Sequence, residues 1–344
     1  MKIFVHIGAG KTGTSSMQLT LKENQSILNS MGIHYLGMIL EHASIKRYSW
    51  QNYPAGNFNL LDNSVAFDQV LEIFNETTNE LSKKGIHTLI WINESFLADR
   101  KKMIPILQFL QKEHDVEVIA YLRKHETWIR SAYVQWGIKH KVYSGKVKSF
   151  KEWYTPNRVC FYNQIKCYLD AFPKNLMLKN MEAQENLVES FLDYCKIEDK
   201  NIKIIKYNES PTDEELLLRA VYNNFIQDPA LPFRFDEEFL KSKGQDGIGD
   251  WHTPRYFLES LLPSSEDIEQ VHKDVSADRE ALNKLLSNCN EKSFVSAPVE
   301  PKNVEVDSEK LLLFLINKVI DQSFQIDDLR KKITDMIENE KIAQ

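Results

Sequence analysis

The chain has 344 residues, enough to bury a full hydrophobic core as one large domain or two smaller ones. Hydrophobic residues make up 42% of it and charged residues 27%, a composition that excludes a disordered chain. Its formal net charge of −6 argues against a general nucleic-acid binder, and no window approaches ~18 consecutive apolar residues, so no membrane span is expected.

The chain starts with an apolar run, MKIFVHIGAG, that is too short for a signal peptide, and we interpret it as a core strand of a cytoplasmic protein. The four cysteines, Cys160, Cys167, Cys195 and Cys289, show no C-x-x-C spacing. We therefore expect free, buried thiols in a reducing compartment. The sequence has no H-E-x-x-H motif, paired aspartates or Cys/His cluster, so no metal site is expected.

Strand-like runs alternate with segments of helical periodicity over most of the chain. The predicted strands are Ile3–Ile7, His87–Asn93, Val116–Leu122 and Asn175–Lys179. The predicted helices are about Thr14–Ser30, Ala66–Lys84, Met103–Lys112, His125–Lys141, Arg158–Ala171, Met181–Lys196 and Asp213–Asn224. This alternation predicts an α/β sandwich with a mostly parallel central sheet, in which ligands bind outside the carboxyl ends of the strands.

The stretch Ile3–Gln18, IFVHIGAGKTGTSSMQ, joins the first strand to a turn that opens a helix. Amide N–H groups at a helix N-terminus lack partners and carry partial positive charge, so this turn suits an anion. The turn supplies glycines for close backbone approach, a lysine for charge and hydroxyl groups as donors: Gly8, Gly10 and Gly13; Lys11; Thr12, Thr14, Ser15 and Ser16. The alternative is an ordinary glycine-rich helix start, but a cap needs one hydroxyl rather than four.

The same turn departs from the phosphate loop of nucleotide triphosphatases, G-x-x-x-x-G-K-[ST], because Val5 stands in place of the first glycine. It resembles instead the 5′-phosphosulfate loop, K-[ST]-G-T-[ST], of sulfotransferases that use 3′-phosphoadenosine 5′-phosphosulfate. The resemblance implies a P-loop nucleotide-kinase-like three-layer fold and this nucleotide as sulfuryl donor, without a metal. It also implies that Lys11 stabilises charge on the bridging oxygen of the leaving nucleotide.

The segment LIWINESF, at a neighbouring strand end, contains a candidate proton acceptor for the transfer. Glu94 follows this strand, and many carbohydrate sulfotransferases use a glutamate there as general base. The alternative is that Glu94 caps the next helix or pairs with Arg100. His6, directly before the loop, is a reserve base, although a structural histidine is the more frequent outcome.

The segment Val116–Gln135 carries the second half of the resemblance, with Arg123 at a strand end and Ser131 eight residues later. In the family, an arginine and a serine at these positions bind the 3′-phosphate of the donor. A guanidinium pairs with phosphate through parallel N–H bonds, and a hydroxyl adds a third. Taken alone, Arg123 would more often be a surface charge.

The stretch Lys241–Trp251, KSKGQDGIGDW, resembles the R-K-G-x-x-G-D-W loop of cytosolic sulfotransferases, which closes over the 3′-phosphate. It departs from that pattern at Ser242, in place of the arginine, and in the spacing of its glycines. Lys243 and Gly244 are therefore candidate ligands, and a flexible glycine-rich loop is the alternative.

The expected acceptor is a carbohydrate or glycolipid, since aromatic side chains stack on sugar rings. Trp50, Tyr53 and Phe58 lie in one loop-like stretch, and Trp128, Trp136 and Trp153 lie in or after the second motif. Most of these residues are expected to belong to the core or a lid. The basic run Lys139, His140, Lys141, Lys146 and Lys148 could attract a polyanion, but a solvated helix end is the simpler interpretation.

The C-terminal region predicts a long amphipathic helix, with apolar residues at 3–4 spacing and no Gly or Pro. We expect a sulfotransferase domain over 1–295, a Pro-containing linker over 296–306 and the helix over 307–344. The helix either packs back on the domain or forms a homodimer. Two other functions stay open: an ATP-dependent kinase or nucleotide hydrolase with a divergent loop, and a non-catalytic nucleotide-binding scaffold.

Overall fold

The computed structural model describes residues 1–52, 57–206, 211–236, 255–297, 299–301 and 303–343. The chain divides into two compact units. One comprises Met1–Ile129, Thr155–Glu209 and Gln270–Val299, and the other Arg130–Tyr154, Ser210–Glu269 and Glu300–Gln344.

The first unit contains an all-parallel five-stranded sheet in the order β2-β3-β1-β4-β5. Its strands are β1 (Lys2–His6), β2 (Ile33–Tyr35), β3 (Thr88–Ile92), β4 (Asp115–Leu122) and β5 (Leu176–Asn180). The α/β fold and the four predicted strands are confirmed. The sequence analysis missed β2, because three residues at a sheet edge carry too little periodicity to stand out.

Helices follow most of the strands and make up most of the described chain after β5. They are α1 (Thr14–Glu23), α2 (Gln25–Ser30), α3 (Asn63–Lys83), α4 (Arg100–Leu110), α5 (His125–Tyr133), α6 (Phe150–Trp153), α7 (Tyr162–Ala171), α8 (Leu187–Tyr194), α9 (Asp213–Phe225), α10 (Pro232–Phe235), α11 (Arg255–Leu261), α12 (Ser265–Asp274), α13 (Ser276–Asn288) and α14 (Ser308–Ala343). None of the helices that the structure describes is long and apolar enough to cross a membrane.

The sheet is buried on both faces, as expected where helices cover a parallel sheet. On one face, Phe4 and Tyr121 pack with Met17 of α1 and Phe191 of α8 in one hydrophobic cluster. On the other face, the ring of Trp91 in β3 lies 5.4 Å from that of Phe74 in α3. Alternate residues of each strand therefore serve opposite layers, which gives the three-layer arrangement.

Two predicted helices are interrupted within their length, and two others, predicted over Arg158–Ala171 and Met181–Lys196, begin later than predicted, at Tyr162 and Leu187. The first divides at Asn24, whose buried amide donates to the carbonyls of Thr20 at 2.7 Å and Lys203 at 2.9 Å. The helix predicted over His125–Lys141 changes into a π-helix over Val134–Lys139. A Cβ on Gly137 in this segment would overlap the ring of Tyr133.

Lys141 corrects the interpretation of the basic run as a solvated helix end, whereas Lys146 and Lys148 of the same run are exposed. Lys141 is fully buried, and its Nζ donates to the carbonyl oxygens of Gly145 at 2.5 Å, Asn223 at 3.1 Å and Ile226. Burial lowers the pKa of this lysine. Lys141 thus connects the segment 141–145 to the end of α9 by hydrogen bonds and has a structural role.

The aromatic and cysteine predictions have mixed outcomes. Trp50 and Phe58 are buried, as are Trp128 and Trp153, so the core interpretation of these four is confirmed. Tyr53 lies outside the described residues. All four cysteines are free, as predicted, but Cys195 is buried whereas Cys167 is exposed.

Helix α14 extends over 36 residues. Near its start Leu311 and Phe314 are buried, while apolar residues further along are exposed. The predicted helix is confirmed, and the proposed domain and linker boundaries stay predictions.

Candidate anion-binding site

The loop between β1 and α1 has a backbone that is suited to an anion. Three of its residues adopt the left-handed conformation, with φ of 55° at Gly8, 68° at Lys11 and 76° at Gly13. Such conformations, next to right-handed ones, turn amide N–H groups toward a common point. Helix α1 then begins at Thr14, and no side chain caps it. Because nothing caps this start, an anion could accept from the first-turn amides.

The glycines have a role in packing as well as in conformation. A Cβ on Gly13 would overlap Cδ2 of Leu187 at the start of α8, and a Cβ on Gly8 would lie 2.9 Å from Cα of Glu94. The missing side chains therefore let neighbouring elements approach the loop. The sequence analysis assigned Gly13 to the close approach of an anion, but the space beside it is occupied by the side chain of Leu187.

Two other strand ends are joined to this loop by hydrogen bonds. Glu94 follows β3, and its Oε2 accepts from the hydroxyl of Thr14 at 2.8 Å. Arg123 follows β4, and its Nη1 donates to the carbonyl of Lys11 at 3.0 Å. The structure therefore brings Lys11, Thr14, Glu94 and Arg123 together at the carboxyl edge of the sheet, where ligands bind in such folds.

The hydroxyl groups of the loop are used in different ways. Thr12 is buried and donates to the carbonyl of Ala9 at 2.7 Å, so its proton serves the loop itself. Thr14 donates to Glu94. Gly10 and Ser15 are half-buried, and the carbonyl of Gly10 accepts from the indole N–H of Trp128 at 2.6 Å.

The two candidate bases have opposite surroundings. Glu94 is exposed, and in the described residues it neither caps α4 nor pairs with Arg100. His6 is fully buried between the rings of Tyr121 and Phe191, and neither of its nitrogens has a hydrogen-bond partner in the described chain. Burial lowers the pKa of His6 to about 3. His6 is therefore neutral and a weak proton acceptor at neutral pH.

The remaining predicted ligands cannot be placed beside the loop. Ser131 is half-buried on α5 and belongs to the second unit, so its part in the site stays a prediction. Lys243 and Gly244 lie outside the described residues. The described part of the chain contains no group of three or more His, Cys, Asp or Glu that could hold a metal ion.

The sequence analysis missed a buried ionic cluster that directly follows Arg123. Oε1 of Glu126 accepts from Nδ1 of His272 at 2.5 Å and from Nη1 of Arg279 at 3.3 Å. Nε2 of His125 lies 2.8 Å from a carboxylate oxygen of Asp278. These bonds attach the first turn of α5 to α12 and α13. The run Arg-Lys-His-Glu after an apolar strand is a signal in the sequence, but its partners lie about 150 residues away and could not be read from it.

No protein-family model and no curated protein matches this chain. Similar solved structures include the sulfotransferase domain from the curacin biosynthetic pathway, with 11% identity and a TM-score of 0.34 over 80% of this chain and 96% of that chain. Retinol dehydratase, solved in complex with androsterone and the inactive cofactor PAP, aligns with 11% identity and a TM-score of 0.30 over 80% of each chain. TM-scores this low carry no argument about site or substrate, which are inferred from the residues of this chain.

Proposed function

We propose that this chain transfers a sulfuryl group from 3′-phosphoadenosine 5′-phosphosulfate to a hydroxyl of a carbohydrate or glycolipid. The observation that carries the proposal is the hydrogen bond from Arg123 to the carbonyl of Lys11. It holds a guanidinium beside a glycine-rich helix start. A nucleotide with phosphate groups at both its 5′ and 3′ positions needs two positively charged binding groups. Here these are the helix start after β1 and the guanidinium after the adjacent strand β4.

The residues at this edge suit that nucleotide. The amides at the start of α1 would bind the 5′-phosphosulfate, together with Lys11 and Ser15. Arg123 would bind the 3′-phosphate, with Ser131, Lys243 and Gly244 as further proposed ligands. When bound, the nucleotide supplies the sulfuryl group.

The protein's own residues have two tasks in the transfer. Glu94 accepts the proton of the acceptor hydroxyl as that oxygen bonds to sulfur, and the hydroxyl of Thr14 holds its carboxylate in place. Lys11 stabilises the negative charge on the oxygen that is released with adenosine 3′,5′-bisphosphate. Of the two predicted bases we propose Glu94, because it is exposed while His6 is buried and weakly basic.

Thermal unfolding with added nucleotide tests the proposal against the kinase alternative. Adenosine 3′,5′-bisphosphate at 100 times its dissociation constant should raise the free energy of unfolding by about 2.7 kcal/mol. ADP with Mg²⁺ should stabilise the protein less. Stabilisation by ADP with Mg²⁺ but not by the bisphosphate would overturn the proposal. A non-catalytic scaffold would also be stabilised by the bisphosphate but would show no sulfuryl transfer, so an assay of transfer separates it from the proposal.

A variant of Arg123 tests whether this residue binds the 3′-phosphate. Arg123→Lys keeps the charge but loses the planar pair of donors, so we expect bisphosphate affinity to fall by tenfold or more while adenosine 5′-monophosphate binding changes little. Arg100→Lys is the matched control, since Arg100 bonds only locally to the carbonyl of Ala98 among the described contacts. An equal loss of affinity for both nucleotides would show that Arg123 does not bind the 3′-phosphate.

A further inference from the structure

A cavity of about 470 Å³ opens beside the proposed transfer site, within the first unit. One wall is a stripe of α1, with Ser15, Gln18 and Lys22 at the spacing that places residues on one helical face. The opposite wall includes Met38 and Lys46. The volume falls in the range of small-molecule sites.

Both walls of this cavity are attached to the strand end that carries Glu94. The amide of Gln18 donates to the carbonyl of Ile92 at 3.4 Å, and the amide of Asn93 donates to the carbonyl of Met38 at 3.0 Å. Ser15 also follows Thr14, which bonds to Glu94. Glu94 does not line the cavity itself, but a molecule that contacts Ser15 would lie next to the Thr14–Glu94 pair.

The cavity lining has more positive than negative side chains, with Lys22 and Lys46 against one carboxylate. The single carboxylate of its lining, Glu41, accepts from the backbone amides of Met38 at 3.0 Å and Ile39 at 2.7 Å, one with each oxygen. Lys22 and Lys46 are exposed, and neither has an ion-pair partner in the described part of the chain. Burial lowers the pKa of the lining His42; the carboxylate of Glu41 opposes this shift, and Lys22 and Lys46 add to it to a smaller extent. The lowered pKa disfavours a charge on His42, so the charged side chains of the lining are Lys22, Lys46 and Glu41.

We infer that this cavity binds the acceptor and that the acceptor carries an anionic group, a carboxylate or a phosphate, in addition to the hydroxyl that is sulfated. The inference rests on the proposed function. Ser15 and Lys22 are separated by roughly 10 Å along the axis of α1, at 1.5 Å per residue. The acceptor is thus elongated, with its hydroxyl near Glu94 and its anionic group between Lys22 and Lys46.

Matched pairs of sugars test this inference by direct binding to the full chain. Para-nitrophenyl β-glucuronide is compared with para-nitrophenyl β-glucoside for a carboxylate, and glucose 6-phosphate with glucose for a phosphate. We expect the anionic member of at least one pair to bind tenfold or more tightly than its neutral partner. The pair that shows the preference identifies the anionic group. The preference should weaken as salt is added.

Lysine variants locate the binding. The double variant Lys22→Gln/Lys46→Gln should abolish the preference, whereas Lys83→Gln, which removes an exposed lysine at the end of α3, should retain it. All three positions are exposed, so the variants should melt like the parent. Equal affinity for both members of each pair, no binding of either, or an unchanged preference in the double variant would overturn the inference.

The outcome is separable from that of the proposed function. Lysine-dependent binding of the anionic sugar without stabilisation by adenosine 3′,5′-bisphosphate would retain the anion-binding cavity but overturn its role as acceptor site. Stabilisation by the bisphosphate without any sugar preference would support the proposed function and overturn this inference alone.

Discussion

Glu94 and Thr14 form the residue pair on which the proposed chemistry depends. Their hydrogen bond of 2.8 Å joins the end of β3 to the first turn of α1. The bond fixes one oxygen of an exposed carboxylate at the point where an acceptor hydroxyl would approach. A base held in this way loses little freedom when substrate binds.

Glu94→Gln should separate binding from transfer. The amide oxygen of glutamine can still accept from Thr14, so we expect adenosine 3′,5′-bisphosphate to bind with unchanged affinity. Turnover should fall by about 10²–10⁴-fold, which is the usual contribution of a general base. Glu23→Gln, an exposed carboxylate at the far end of α1, is the control for charge. Near-normal turnover of Glu94→Gln would show that the proton acceptor lies elsewhere.

His6 should affect stability rather than transfer. Its pKa is about 3 in the folded chain because of burial, against about 6.5 when unfolded. Below pH 6.5 the unfolded chain therefore binds a proton that the folded chain does not, and this residue alone should cost about 1.4 kcal/mol of stability per pH unit down to pH 3.

Chemical denaturation of His6→Phe at several pH values between 7 and 4 checks this expectation. Phenylalanine loses no hydrogen bond, because neither ring nitrogen of His6 has a partner among the described residues. The stability of the variant should fall less steeply with decreasing pH than that of the parent, and its turnover should be retained. Parallel slopes would contradict the buried, neutral state of His6.

At the scale of elements, the loop is held between α1, α8 and the end of β3. Gly13 makes this arrangement possible for two reasons. Its backbone adopts the left-handed conformation, and its lack of a side chain leaves the space that Leu187 occupies. The site is therefore positioned by the packing of a helix that lies more than 170 residues further along the chain. Such a contact is absent from any local pattern.

Gly13→Ala and Gly85→Ala separate the cost of backbone strain from the cost of overlap with a neighbouring side chain. Both positions have φ near 80°, but a Cβ on Gly85 would meet nothing within 4 Å. Gly85→Ala should cost about 1 kcal/mol for backbone strain alone, and Gly13→Ala about 2–4 kcal/mol because overlap with Leu187 is added. Urea denaturation gives both values. Equal costs would indicate that Leu187 moves aside freely.

At the scale of the whole molecule, α14 presents an apolar stripe to solvent. Leu312, Val319, Ile326 and Ile333 recur every seven residues and are 50–66% exposed, and Leu315 and Leu329 follow three residues after members of this series. The first series is β-branched except at Leu312, and the second position holds Leu315 and Leu329 with Gln322 between them. β-Branched residues at one heptad position and leucine at the other favour two-stranded coiled coils, and a single polar residue in the seam specifies register. The stripe thus supports the predicted homodimer, which we retain as a proposal.

Light scattering of the full chain tests the dimer. The parent should have twice the mass of one chain, and Val319→Lys/Ile326→Lys should be monomeric, because charges in a coiled-coil seam cannot be buried. Phe225→Lys, which removes an apolar side chain that is 77% exposed at the end of α9, should stay dimeric. A monomeric parent would contradict the proposal.

Local sequence patterns predicted the alternation of strands and helices, the helix start after the glycine-rich loop and the strand ends that carry Glu94 and Arg123. These features depend on neighbouring residues, through periodic burial and backbone sterics, so local patterns predict them. The same patterns missed β2 and the breaks at Asn24 and Val134, where a distant carbonyl or a single close contact decides the outcome.

The folded chain shows which of the candidate residues lie in contact, which no local pattern predicts. Thr14 bonds to Glu94 across 80 residues of chain, and Arg123 bonds to Lys11 across 112. It also placed His6 in the core, where burial rather than residue type sets its pKa. The physical reason is the same in each case: pairing and desolvation depend on which strands lie side by side, and the sheet order 2-3-1-4-5 brings the ends of β3, β1 and β4 together.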